Sequence, residues 1–577
     1  MKNVKNLFGM AVMATALVGC SSNDNLNPNP NEGAGKAGEA YASFKINLPT
    51  VSGTRAVDPN TGTEFDGGTA AEYEVKNGTI LIFDNSGKFV ESAELGTMNP
   101  WTKDTDDNGV TTAASVTVQL SDVALNGNYK ALVLLNNNSK ATPKVTLPTT
   151  SDTYTSWSAK AANANANEYV KTDGIFMANA PKYTGTTTEP TTLVTINKVY
   201  ASREQAQANP ATVVYVERGL AKVTMKDFNS SGYTIAAGNT YAGDKVEIKN
   251  WKLDVTNKST FPVHQIGTLS TDYSGIWSDK HFFDGTNTTF KRVYWGIDPN
   301  YSDNTLFNGK TDPAPGKTAL ELCKDAFNMI TNAQVDGKAG DANPQYCLEN
   351  TFNLDNMKQG QTTRVVFKAV YTPKTFTSTE TFYKVANNTA VWKGDALAQQ
   401  IKTLALKAMK ITDLTEQGKY DVDLSKGSNI SGVAGQHLIQ EANITYSGTP
   451  TDSKVSPAIV NEVNEKLGLK VEGGKITTGI STYLNGEAYY IARIKHLNEL
   501  TPWTAGDAYG TKNDKYLGRY GVLRNNWYEL SVNKVSNLGY PEVPEVKPNI
   551  PDDENDKFIN VEVKILDWAK RSQSIDL

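Results

Sequence analysis

The sequence predicts a mainly β protein of more than one domain, with a few helices confined to its second half and a lone strand at each end. Three observations carry this. Strand formers are abundant, with 26 Tyr and 9 Trp beside many Thr and Val. A chain of 577 residues suits two to four domains rather than one. Both ends alternate with period two, the mark of a half-buried strand. Near the start, Ala42, Phe44, Ile46 and Leu48 fall on one side of an extended chain, with Ser43, Lys45 and Asn47 on the other. Near the end, Ile559, Val561, Val563 and Ile565 oppose Asn560, Glu562 and Lys564.

Bulk properties exclude several classes of function. At 39% hydrophobic and 21% charged residues the chain is globular. A formal net charge of −5 and a pI near 5.7 argue against nucleic-acid binding, which needs a basic patch or stripe. Four histidines leave little material for histidine catalysis or histidine metal sites, and no metal or cofactor is expected. Of the three cysteines, Cys20 belongs to an export signal. Cys323 and Cys347 either pair outside the cytoplasm or stay as two separate buried thiols, because spacing does not give their Cα separation.

Residues 1–20 read as a secretory signal. Lys2 and Lys5 form the positive region, and residues 7–18 an apolar run too short to span a bilayer. The run ends in Leu17-Val18-Gly19-Cys20, which resembles a bacterial lipobox. In such lipoproteins the cysteine is diacylated and becomes the new N-terminus; the other reading is an ordinary signal that happens to contain a cysteine. Residues 21–39 are a polar tether rich in Asn, Pro and Gly. Two acyl chains give stable membrane attachment, so the expected precursor is an outer-membrane lipoprotein. Arg55 is the only arginine in the first two hundred residues; the next is Arg203. A strand joined to its domain through a solitary arginine can be cut off by an Arg-specific protease. Its loss would open a groove for another chain's strand and separate the folded protein from its lipid.

In the body of the chain, residues 78–87 read as a buried strand entering an Asn85-Ser86-Gly87 turn, with 88–94 as the return partner. Residues 114–120 alternate, and 129–136 form a buried core strand. Residues 138–180 read as loop with marginal helix. Strands follow at 192–199 and 211–225, and 244–257 is expected to form a hairpin with 221–225. A boundary is placed near residue 260, at Phe261-Pro262. Residues 317–332 and 395–411 have helical spacing, the latter with Asp395 as N-cap. Ser456-Pro457 opens a third helix running to 467. Strands are expected at 362–371, after the Asn485-Gly486 turn to 494, and at 520–535. Residues 540–557 carry four prolines and an acidic run, and read as an extended linker reaching on the order of 50 Å at about 3.1 Å per residue. The strand after it, 558–568, either leaves its own domain or folds back and pairs at home.

Two short motifs are set aside. Asp104-Thr105-Asp106-Asp107-Asn108-Gly109 begins like an EF-hand loop, but its twelfth position is Ser115 rather than the bidentate Glu. Pro315-Gly316-Lys317-Thr318 suggests a phosphate loop, but Thr311 stands where the first glycine is required and no buried strand precedes it.

Together these features resemble the fimbrillins of Bacteroidales, most closely the major structural subunit of short fimbriae. The residues that carry the resemblance are the lipobox at Cys20, the strand followed by Thr54-Arg55-Ala56, and Val216-Glu217-Arg218-Gly219-Leu220-Ala221-Lys222-Val223. Further matches are Trp251-Lys252-Leu253, the 364–371 strand, the 520–528 segment, and the close from Val561 through Trp568 to Ile575-Asp576-Leu577. The resemblance implies two β-sandwich domains of transthyretin-like topology, here 56–260 and 261–539, the second with helical insertions. It implies a propeptide over 21–55, a scissile bond between Arg55 and Ala56, and removal of the strand that carries Ala42, Phe44, Ile46 and Leu48. The segment 540–577 then supplies a donor strand, Ile559, Val561, Val563 and Ile565 with Trp568, to a neighbour's vacated groove. Expected partners are further copies of the chain, an Arg-specific maturation protease, anchor and tip subunits, and host or bacterial receptors. The expected location is a cell-surface fimbrium supporting adhesion, and no enzyme activity is expected. Two other readings stay open: a monomeric surface lipoprotein binding glycans through its aromatics, and an anchor or tip subunit of the same fimbria.

Overall fold

A computed structural model describes residues 40–49, 69–96, 102–103, 110–138, 143–166, 168–170, 174–183, 190–273, 291–293, 295–301, 317–426, 435–496, 517–552 and 559–567. The protein is mainly β, with several sheets and few helices. The strands that build its two main cores are, in chain order, β1 (Ala40–Pro49), β2 (Gly78–Asp84), β3 (Phe89–Glu94), β4 (Val110–Leu120), β5 (Tyr129–Leu135), β6 (Met177–Asn179) and β7 (Thr212–Arg218) for the first. The second uses β8 (Ala221–Met225), β9 (Lys245–Asp254), β10 (Gln345–Cys347), β11 (Arg364–Thr372), β12 (Glu487–Arg493), β13 (Asn526–Val535) and β14 (Ile559–Asp567).

The main strands of the first sheet run β3-β2-β5-β6-β7-β1-β4, with the short Thr102–Lys103 beyond β4 and Val194–Thr195 beside β5. The sheet closes over its own core because β7 serves two partners. Thr212–Tyr215 pair in parallel with β1, and Val216–Arg218 pair antiparallel with β6. Alternation assigns the side chains. Ile80 and Ile82 of β2 and Ala131, Val133 and Leu135 of β5 point into the enclosed core, where they meet Phe44 and Ile46 of β1. Leu81, Phe83, Leu132 and Leu134 point the other way, into a second layer with Trp157, Tyr169 and Phe176. Both faces of β2 and β5 are therefore buried, which explains their continuous apolar runs. The 138–180 stretch supplies that outer layer rather than idle loop.

At Gly219-Leu220 the chain passes from β7 of the first core to β8 of the second. The run 211–225 is two strands, not one. A Cβ on Gly219 would lie 2.7 Å from Phe176 Cδ1, so only glycine lets the backbone cross there. Two facing sheets form the second sandwich, β10-β8-β13-β14 against a sheet containing β9-β11-β12. Val223, Trp251, Phe367, Tyr490 and Tyr528 fill the space between them. The expected hairpin of 244–257 with 221–225 does not form. β9 pairs antiparallel with β11, while β8 lies in the opposite sheet, parallel to β13. Burial of both strands in one core brings them face to face, across the sandwich rather than along a ladder.

Between β11 and β12 the chain builds a further module with its own core. Its helices are α4 (Gly394–Ala408) and α5 (Pro457–Lys466), and Leu397, Ile401, Val460 and Val463 pack between them and the neighbouring strands. Ser456 caps α5 by accepting from Ile459 N, with Pro457 at the first helical position. In α4 the N-cap is Lys393, and Asp395 sits one residue inside the helix, where its carboxylate faces the positive helix end. The helix expected over 317–332 is shorter: α3 (Ala319–Ala326) ends where Phe327 turns to β structure. Thr318, last residue of the apparent phosphate-loop motif, is the N-cap of α3, with a reciprocal capping box to Glu321.

The two sandwiches meet at a buried polar joint. Glu72, in the short helix α1 (Ala70–Tyr73), lies 2.7 Å from Lys222 Nζ of β8 and accepts from Tyr346 OH at 2.8 Å. The same ammonium sits 3.6 Å from the Trp527 ring centroid. Burial opposes ionisation of Glu72, but the Lys222 ammonium and the hydrogen bonds win and hold its pKa below the usual 4.5. The stability this ion pair contributes is therefore fully present above pH 4.5 and is lost as pH falls through the depressed value. Glu72→Gln is expected to flatten that acid dependence in thermal melts and, by taking the carboxylate away from the buried Lys222 ammonium, to cost about 3–5 kcal/mol at neutral pH.

Candidate assembly site

β1 lies inside its sheet. It pairs antiparallel with β4 along its length, from Ala40 opposite Leu120 to Pro49 opposite Val110. On its other side, residues 44–47 pair in parallel with Thr212–Tyr215 of β7. Ala40, Ala42, Phe44, Ile46 and Leu48 are all at most 2% exposed. The four positions singled out in the sequence thus sit together in the first core, beside Ile80, Val133 and Val214.

The outer face of β1 is also covered at its start. The helix α2 (Arg203–Ala208), capped by Ser202, lies across it. Ser43 Oγ donates to Ala206 O at 2.8 Å and lies 2.8 Å from Thr117 Oγ1 of β4. Arg203 donates to Thr117 O at 2.9 Å, and its guanidinium stands 5.5 Å from the Tyr41 ring centroid. Tyr41 and Tyr200 exchange two backbone hydrogen bonds of 2.8 Å. The helix went unread in the sequence, although Ser202 followed by Arg203, Glu204, Gln205 and Ala206 is a capped run of good helix formers.

β14 holds the opposite kind of place. It pairs at home with β13, antiparallel, from Asn526 opposite Asp567 to Val535 opposite Ile559, and forms one edge of the β10-β8-β13-β14 sheet. Among the described residues, its ladder is made on one side only.

The Pro-rich segment before β14 is a strap rather than a free arm. Tyr540 and Tyr489 exchange backbone hydrogen bonds of 2.7 and 2.8 Å. Val543 N donates to Asn332 Oδ1 at 2.7 Å, and Arg364 Nη2 donates to Pro544 O at 2.7 Å. Val546 is buried with Val255, Cys323 and Phe327. Gln359 N donates to Ile550 O at 2.9 Å, and Thr362 Oγ1 donates to the buried Asp552 at 2.9 Å. The expected reach on the order of 50 Å therefore shrinks. From Asp552 to Ile559 six intervening residues, 553–558, can span only about 20 Å.

Cys323 and Cys347 are free thiols in different clusters, Cys323 beside the strap and Cys347 in β10 within the second core. Burial pushes both up to about 12, so neither is poised to react. This corrects the disulfide alternative: each thiol is held by its own packing. Cys20, Arg55, Ala56 and Trp568 lie outside the described residues, as does 104–109. For Ile559, Val561, Val563 and Ile565 the structure gives backbone pairing alone.

Residues 481–574, which contain β12, β13, the strap and β14, match the family described as major fimbrial subunit protein type IV, fimbrillin, C-terminal. That likeness covers the end of the chain alone. No curated protein matches the chain. Among solved structures, a fimbrial assembly protein from Parabacteroides distasonis aligns with 39% of this chain and 67% of its own length, at 12% identity and a TM-score of 0.23. Overlap that loose carries no argument about shape. The fimbrillin match falls on the segment that ends in the edge strand and leaves the β1 slot to be judged on its geometry.

Proposed function

We propose that this protein is a structural stalk subunit of a cell-surface fimbria, in which the C-terminal strand of one copy occupies the place of β1 in the next. It is exported as a lipoprotein through Cys20 and cut between Arg55 and Ala56 by an Arg-specific protease. The carrying observation is the unequal position of the two strands. β1 is paired on both sides and buried, whereas β14 is paired on one side at a sheet edge. Moving β14 from its edge into a vacated β1 slot gives its backbone a second ladder. Each added hydrogen bond contributes about 0.5–1.5 kcal/mol net. Ile559, Val561, Val563 and Ile565 fill the slot for roughly 1.5–3 kcal/mol apiece gross, less the packing given up opposite Tyr528, Leu530 and Val535 at home and the cost of association.

Cleavage breaks none of the contacts that hold β1. It removes the covalent tether, so a strand that leaves no longer returns at an effective concentration of about millimolar or above. Until then the slot is filled and assembly is blocked. A head-to-tail contact of this kind does not close on itself, so it extends into a filament. Within a fimbria, a chain with both a removable first strand and a terminal donor strand suits the stalk. A tip subunit needs no donor, and an anchor keeps its lipid. Anchor and tip subunits and adhesion receptors complete the assembly.

N-terminal sequencing of sheared surface material, run on a denaturing gel with and without boiling, tests this reading. The expected result is a start at Ala56 and a ladder of bands that collapses on heating. A lipidated Cys20 terminus with a single monomer band overturns it.

A further inference from the structure

Resting on that strand-exchange reading, we infer that the incoming strand docks in one register only. Phe558 takes the place of Tyr41 and Asn560 the place of Ser43, and the α2 wall sets this register.

The two strands correspond position by position. Tyr41-Ala42-Ser43-Phe44-Lys45-Ile46-Asn47-Leu48 and Phe558-Ile559-Asn560-Val561-Glu562-Val563-Lys564-Ile565 share one order of chemistry. It reads aromatic, apolar, small polar, apolar, charged, apolar, polar, apolar. The four apolar side chains of the donor fall on the four buried positions of β1. Ile for Ala42 and Val for Phe44 exchange volume between adjacent deep positions, so the total changes little, the kind of change cores tolerate best. Lys45, exposed, gives way to the charged Glu562.

The outer face decides between registers. Ala206 O, near the C-terminal end of α2, accepts from Ser43 Oγ, and Arg203 stands over the Tyr41 ring. Asn560 has an amide N–H to give that carbonyl, and Phe558 a ring for the guanidinium. A slip of two residues one way would bring Glu562 to the carbonyl, acceptor against acceptor at the negative end of a helix. The opposite slip would bring Phe558 under a helix whose carbonyl oxygen stands only 2.8 Å from the Ser43 hydroxyl. A slip of one residue would turn the charged face into the core. Reversing the strand would turn the long β4 ladder parallel, the less stable arrangement.

The test is a disulfide map. Ser43 is the Cα partner of Thr117. Full-length chains carrying Thr117→Cys are mixed with chains carrying one of Phe558→Cys, Asn560→Cys, Glu562→Cys or Lys564→Cys. Each mixture is treated with an Arg-specific protease, oxidised, boiled and run without reductant. The expected result is a covalent dimer with Asn560→Cys, at least about tenfold more abundant than with its neighbours, since diagonal positions lie roughly 7–8 Å away. A dimer formed best by Phe558→Cys, Glu562→Cys or Lys564→Cys overturns the register while strand exchange stands. No dimer at any of the four positions overturns strand exchange itself. In a second measurement, Asn560→Asp should weaken the polymer about tenfold, as expected for an unmatched acceptor, and Asn560→Ser should restore it. An unchanged polymer with Asn560→Asp overturns the part assigned to α2.

Discussion

Val561→Asp together with Val563→Asp abolishes the heat-sensitive ladder. Each substitution puts a carboxylate where the slot offers Phe44 and Ile46 positions, both fully buried among Ile80, Val133 and Val214. An unpaired carboxylate there costs several kcal/mol, and two of them exceed what the second ladder returns. At home the same positions lie opposite Leu530 and Val532 of β13. Leu530 is buried in the second core and Val532 packs against it, so the double variant's own melting temperature should fall as well, and the loss of the ladder is read on chains that are secreted, cleaved and folded. The measurement is the unboiled gel beside a thermal melt of the uncleaved chain. A ladder of wild-type strength would remove the donor strand from assembly.

Phe44→Ala separates precursor from polymer. In the uncleaved chain Phe44 is the largest side chain on the buried face of β1, and its truncation leaves a cavity in the first core. A loss of about 3–5 kcal/mol is expected, read as a lowered melting temperature of the precursor. In the assembled polymer β1 is gone, so the same substitution leaves the heat resistance of the ladder unchanged. Assembly after cleavage should also be faster, since the departing strand is held less firmly. A ladder that melts earlier in Phe44→Ala would mean that β1 remains in the assembled subunit.

The sequence announced some of this architecture and concealed the rest for identifiable reasons. The alternation of Ala42, Phe44, Ile46 and Leu48 named the buried face of β1 correctly, because a period of two survives whatever the strand pairs with. The β2 and β3 hairpin was legible because its turn is local. Its partner β5 was legible as a strand but not as a neighbour. Pairings between distant strands were not legible: β8 with β13 joins Lys222 to Trp527 across some three hundred residues, and nearness in sequence pointed to β9 instead. The strap was misread because its prolines suggest an unattached arm, while Val543 and Val546 between them are what dock it. The interior position of β1, on which the functional reading rests, depends on β7 bending from one partner to another between Tyr215 and Val216, and no residue pattern marks that change.

The most direct test of the central claim uses a synthetic peptide of residues 557–577 added to full-length protein before and after treatment with an Arg-specific protease. The peptide should bind one to one to the cleaved protein, survive unboiled electrophoresis and shorten the ladder as its concentration rises. It should not bind the uncleaved protein, whose slot is filled by β1. Equal binding to both forms, or binding to neither, would contradict the exchange of the terminal strand for β1.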